Sequence, residues 1–73
     1  MPLPAVTPLR LVIKRFRQLG WTGPEGGKHQ FMRRGTHRQR IPNGHGGNDE
    51  VRAAQLQEIL RQAGVKESEW LDE

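Results

Sequence analysis

Seven of the nine glycines in this 73-residue chain fall between residues 21 and 47. Glycine loses more backbone freedom on folding than any other residue, and inside a helix or strand it costs roughly 0.5–1 kcal/mol relative to alanine. The middle of the chain is therefore confined to turns and short strands, and helices must lie on either side of it. On the N-terminal side, Leu9, Val12, Ile13, Phe16 and Leu19 recur at helical spacing and make one apolar stripe, with Arg10, Lys14, Arg15, Arg17 and Gln18 away from it. Thr7 can cap the free N–H groups at the start, Pro8 suits the first helical position, and Gly20 supplies the stop. On the C-terminal side, Leu56, Ile59, Leu60 and Ala63 repeat the pattern and Gly64 ends it. This second helix starts at Asp49 or only near Ala53, and Asn48 or Asp49 can cap it.

Between the helices, Trp21-Thr22 begins a short strand and Gly23-Pro24-Glu25-Gly26-Gly27 reads as a flexible turn. Residues 28–33 and 37–41 are two strand candidates joined by Arg34-Gly35-Thr36, a loop of hairpin length. With a three-residue loop, Phe31 and Ile41 share one face, and Lys28, Gln30, Met32, Arg38 and Arg40 share the other. A two-residue loop reverses part of this, because a one-residue slip flips side chains across the sheet. The three-residue register is the expectation, since it buries Phe31 with Ile41 and leaves a basic outer face. Pro42 ends the third strand, Asn43-Gly44-His45-Gly46-Gly47 is a loop, and residues 66–71 add a last helical turn or two that folds Trp70 and Leu71 back on the core. The order is α-β-β-β-α with a short C-terminal helix, an α+β fold with a three-stranded antiparallel sheet packed on helices. Residues 1–7 are expected to be an N-terminal arm and residues 8–73 a single domain.

With 33% hydrophobic residues, the chain has material for one thin core. A core of this size supplies about 3–5 kcal/mol, and small folds usually need a further fastening. Zero cysteines remove disulfides and thiolate–zinc sites, which leaves oligomerisation or a partner protein. No apolar run approaches the ~20 residues that span a bilayer, so a soluble, cytoplasmic protein without membrane contact is expected. The net charge of +4 conceals a division. Residues 1–48 carry nine basic side chains and one acid, whereas residues 49–73 carry three basic side chains and seven acids. A segment of net charge +8 followed by one of −4 points to a polyanion-binding surface, with nucleic acid the first choice.

His29, His37 and His45 are spaced by eight, but the tight pairs that signal zinc ligation are absent, and neither a metal nor a cofactor is expected. Gly26-Gly27-Lys28-His29 lacks the Ser or Thr that follows the lysine of a phosphate-binding loop, and it leads into a strand. Ser68 is the sole serine, which leaves no serine nucleophile beside a base. His29 stands apart because its approach is glycine-rich and its neighbours are basic. Gly26-Gly27 lets another backbone or a phosphate come close, and Lys28 supplies a point charge for it. A histidine so placed can take a proton from a ribose 2′-hydroxyl or give one to a leaving oxygen, with nearby cations stabilising charge on the phosphate.

Leu19-Gly20-Trp21, Gly27-Lys28-His29-Gln30-Phe31, Ile41-Pro42 with His45 beyond it, Leu56-x-x-Ile59-Leu60-Arg61-Gln62-Ala63-Gly64-Val65 and Glu69-Trp70-Leu71 occur in that order. Together they resemble the HicA family of bacterial toxins over about residues 9–72. The family's pattern has serine where Lys28 stands, and its Pro-x-His is one residue longer here. The resemblance implies a double-stranded-RNA-binding-domain-like fold. It further implies a ribonuclease that cleaves mRNA with the histidine corresponding to His29, needs no metal, causes growth arrest, and is neutralised by a cognate HicB-type antitoxin. In that reading Gly27, Lys28, Arg33, Arg38 and Arg40 bind the RNA. The competing readings are a non-catalytic RNA- or DNA-binding module related to the toxin fold, and an adaptor whose basic patch binds an acidic protein. For His37 and His45 the sequence favours structural hydrogen bonding over chemistry.

Overall fold

A computed structural model describes residues 3–27, 29–42 and 49–71. The elements in chain order are β1 (Val6–Pro8), α1 (Leu9–Gln18), β2 (Thr22–Glu25), β3 (Phe31–Arg34), β4 (His37–Arg40), β5 (Glu50–Arg52), α2 (Ala53–Ala63) and α3 (Glu67–Leu71). The fold is α+β: β2, β3 and β4 form an antiparallel sheet in that order, and α1 lies against β2 while α2 lies against β4. Lys28, the loop 43–47 with His45, and the Asn48 cap fall outside the described residues. No helix among the described residues is long and apolar enough to cross a membrane.

Both long helices stop in the same way. At the end of α1, Gly20 adopts φ +96, its N–H bonds to the Arg17 carbonyl at 3.1 Å, and the Trp21 N–H bonds to the Phe16 carbonyl at 2.9 Å. At the end of α2, Gly64 adopts φ +75, with Gly64 N–H on Arg61 at 3.2 Å and Val65 N–H on Leu60 at 2.9 Å. This is the Schellman pattern, in which a left-handed residue turns the chain so that orphan carbonyls are satisfied. The apolar contact that accompanies it is aromatic in the first case: Phe16 and Trp21 meet edge to face at 5.4 Å. Trp70, from α3, meets the Phe16 ring at 5.1 Å, and the Trp70 carbonyl accepts from Arg15 Nη1 at 2.6 Å. Phe16, Trp21 and Trp70 thus close the core with Val12, Leu56 and Leu60.

The capping differs from expectation. Thr7 does not cap α1, whose first residue is Leu9; α2 takes the later of its two expected starts, at Ala53, and neither helix carries a side-chain cap. A two-stranded ribbon takes the place of capping. β1 pairs antiparallel with β5, with Val6 opposite Arg52, Thr7 opposite Val51 and Pro8 opposite Glu50. The ladder then runs one step beyond each strand: the Leu9 N–H donates to the Asp49 carbonyl and the Ala53 N–H to the Ala5 carbonyl, both at 3.0 Å. Each helix therefore has its first amide satisfied by the strand that leads into the other, the accounting that a helix end requires. Thr7 and Val51 are buried at the centre of the ribbon, and Thr7 Oγ1 has no hydrogen-bond partner there.

The hairpin register also differs. Phe31 pairs with Arg40, Met32 with Gln39, Arg33 with Arg38 and Arg34 with His37, so the loop is the two residues Gly35-Thr36. Gly35 has φ +60 while Thr36 is not left-handed, the signature of a type II′ turn. That turn matches the twist of the strands and overrides the apolar pairing of Phe31 with Ile41. Met32 and Gln39 consequently face the helices and are buried, and Gln39 Nε2 donates to Gln62 Oε1 of α2 at 3.0 Å. Ile41 is buried as expected, but Phe31 is outside the core. β2 includes Gly23-Pro24-Glu25, which the sequence suggested as a turn. Its pairing of Thr22 with Arg33 and Glu25 with Phe31 contains one extra residue on β2, a bulge on an edge strand, where proline is tolerated.

Candidate functional site

Directly opposed residues of a sheet share a face, so the register collects Phe31, Arg33, Arg38 and Arg40 on the side away from the helices. β2 adds Thr22 and Glu25 to the same face. Thr22 Oγ1 donates to the Arg33 carbonyl at 3.1 Å, and Arg33 Nη2 lies 3.2 Å from Glu25 Oε1. With both side chains well exposed, this ion pair contributes little to stability, and it orients Arg33 along the sheet. Arg38 extends over the Phe31 ring, its Cζ 5.2 Å from the ring centroid.

His29 is exposed and stands beside Arg40, whose Nη2 is 2.8 Å from His29 Nδ1. A guanidinium has only donors, so Nδ1 is the acceptor and the neutral imidazole holds its proton on Nε2. The segment that carries His29 is fastened to β4 through the Ile41 N–H, which donates to the Gln30 carbonyl at 3.0 Å, one residue beyond Arg40. Gly26 makes room for this course. It has φ +99, and a Cβ there would press into the His29 carbonyl oxygen and lie 3.3 Å from the Phe31 ring. A Cβ at Gly27 would meet none of the described residues within 4 Å.

Of the residues singled out in the sequence, His29, Arg33, Arg38 and Arg40 come together on or beside one exposed face, with Gly27 at its margin. Lys28 lies outside the described residues. His37 is on the opposite side of the sheet from Arg38, its ring edge-on to Trp21 at 5.2 Å. One member of the site, Phe31, is not legible in the sequence. Apolar pairing places it in the core, and the Gly35-Thr36 dipeptide is the signal that moves it. Gly26 does let another stretch of backbone come close, as its glycine-rich setting implies, and that backbone is the chain's own return at His29.

The surface offers a chemistry of its own. Cations at Arg38 and Arg40 can hold a phosphate, and an imidazole nitrogen lies within hydrogen-bond reach of one of them. In the comparison with known families, the one described as HicA toxin of bacterial toxin-antitoxin matches residues 10–65. No curated protein and no solved structure gives a match.

Proposed function

The chain belongs to the HicA family, the toxins of bacterial toxin–antitoxin pairs, and from that premise we propose that it arrests growth by cleaving mRNA with His29 as its single catalytic group. The observation that carries this reading is the hydrogen bond between Arg40 and His29 Nδ1 on a face shared with Arg33 and Arg38. In the resting protein Arg40 occupies the lone pair that a general base needs. A phosphodiester is a stronger partner for the guanidinium than a neutral imidazole, since both members are then ionised. On binding RNA, Arg40 turns to the phosphate and Nδ1 is released. The imidazole then takes the proton of the ribose 2′-hydroxyl, the 2′-oxygen attacks the adjacent phosphorus, and the 5′-oxygen leaves with a proton from water or from the imidazolium. Arg33, Arg38, Arg40 and Lys28 stabilise the charge that develops on the phosphate, and Gly27 lets it approach the backbone. The scheme draws on no metal or cofactor. The family also implies a cognate HicB-type antitoxin, whose co-expression should restore growth.

The test is incubation of the purified protein with RNA in EDTA, followed by mapping of new 5′ ends. His29→Ala should abolish cleavage and growth arrest while the far-UV circular dichroism stays native. Full toxicity in that variant refutes the assignment. RNA binding with a steep salt dependence but no cleavage by the wild type would identify a non-catalytic RNA-binding module instead.

A further inference from the structure

We propose that Phe31 and Arg38 form a stacking platform for one unpaired RNA base beside His29, a proposal that rests on the RNA-cleaving reading above and gives that site its substrate class. The chain has four aromatic residues, Phe16, Trp21, Phe31 and Trp70. Three of them are core: Phe16, Trp21 and Trp70 are 0%, 3% and 1% exposed. Phe31 alone is turned to the outer face, half-buried and outside the core cluster, by the register that the two-residue turn sets. Its ring does not lie bare among solvent. The Arg38 guanidinium sits over it at 5.2 Å, and Gly26 lies beside its Cδ1–Cε1 edge, where an added Cβ would come to 3.3–3.4 Å. An arginine over an aromatic ring offers surfaces on which nucleobases stack, either on the guanidinium plane or on the ring once the arginine moves to a phosphate.

Position decides what the platform serves. Phe31 is directly opposite Arg40, and Arg40 touches His29 Nδ1. A base held on Phe31 therefore brings its own ribose and phosphate to the arginine and the imidazole. A paired base keeps both of its π-faces inside the helical stack and cannot reach the platform. The sheet face consequently selects single strands or loops, and shape recognition of duplex RNA plays no part. In-line attack by the 2′-oxygen also needs a backbone free to rotate, and splaying one base onto Phe31 supplies that freedom.

The experiment uses the whole protein and 2′-O-methyl RNA of about ten nucleotides, which cannot undergo internal attack, as a single strand, as its duplex, and as a series with one abasic position each. The single strand should bind, and the duplex should bind at least tenfold more weakly. Phe31→Leu, which keeps an apolar cover for Arg38 but removes the π-face, should weaken single-strand binding by roughly five- to 150-fold with an unchanged salt slope, since no charge is lost. Phe31→Trp should restore it. One abasic position should weaken wild-type binding and have no further effect on Phe31→Leu. Equal binding by wild type and Phe31→Leu, or equal binding of duplex and single strand, overturns the platform while leaving the cleavage reading intact. Absence of RNA binding by the wild type overturns both. The abasic series and Phe31→Trp decide the matter even where Phe31→Leu folds poorly.

Discussion

A methyl group at residue 26 would collide with the carbonyl of His29, the proposed catalytic residue. Gly26→Ala should therefore displace His29 in the free protein, visible as a changed imidazole resonance, and lower cleavage at least tenfold while the helices remain. Gly27→Ala is the contrasting case: its side chain meets none of the described residues within 4 Å, so the resonances should be undisturbed and a loss should appear only when RNA is bound. In the proposed mechanism Arg40 carries two tasks, capping Nδ1 at rest and holding phosphate in the complex. Arg40→Lys preserves the charge but loses the planar fork, so RNA affinity should fall less than the cleavage rate; Arg40→Ala should lose both, as measured by single-turnover kinetics with saturating protein. At this scale His29 was legible in the sequence from its glycine-rich, basic surroundings and the family pattern. Phe31 was not, because its role depends on which face it occupies, and no property of the residue itself sets that.

Elements with a strong internal period were readable, and those defined by distant partners were not. The stripes of α1 and α2 and their stops at Gly20 and Gly64 are written within about ten residues of chain each, because a helix satisfies its own backbone. The strand register was settled by Gly35 taking the first position of a II′ turn, a single-residue decision that moved every side chain of β3. The β1–β5 ribbon carries no local signal at all: three residues pair with three others more than forty positions away, and one of them is a proline. Thr7 shows the consequence of misreading it. As a helix cap its hydroxyl would be indispensable, but in the ribbon Oγ1 is buried without a partner. Thr7→Val keeps the shape, favours strand and removes a desolvated hydroxyl, so stability should rise by about 1 kcal/mol in urea titrations. A loss of that size would restore the capping role.

The whole molecule stands on one thin core whose aromatic centre is drawn from three separate parts of the chain. Trp70 is 1% exposed, stacks edge-on against Phe16 and gives its carbonyl to Arg15. Trp70→Ala should cost about 3–5 kcal/mol, comparable to the entire ~3–5 kcal/mol expected of a core this small. The variant should therefore show no cooperative thermal transition by itself, and protection should reappear only in complex with the antitoxin, since a partner that binds only the folded state stabilises it by mass action. A variant that melts cooperatively on its own would show that the core draws on more than these rings.

The β1–β5 ribbon has a consequence in time. When the ribosome has made residues 1–48 it has made nine of the twelve basic side chains, together with His29 and all three strands of the main sheet. It has not yet made Asp49, which receives the first amide of α1, or Val51, which covers Thr7, or the helix on which Gln39 rests. The nascent toxin is a polycation without a closed core until β5 and α2 emerge. Synthesis order thus delays closure of the core behind the basic sheet face until β5 and α2 exist, and the same later segment, of net charge −4, offsets half of the +8 carried before it.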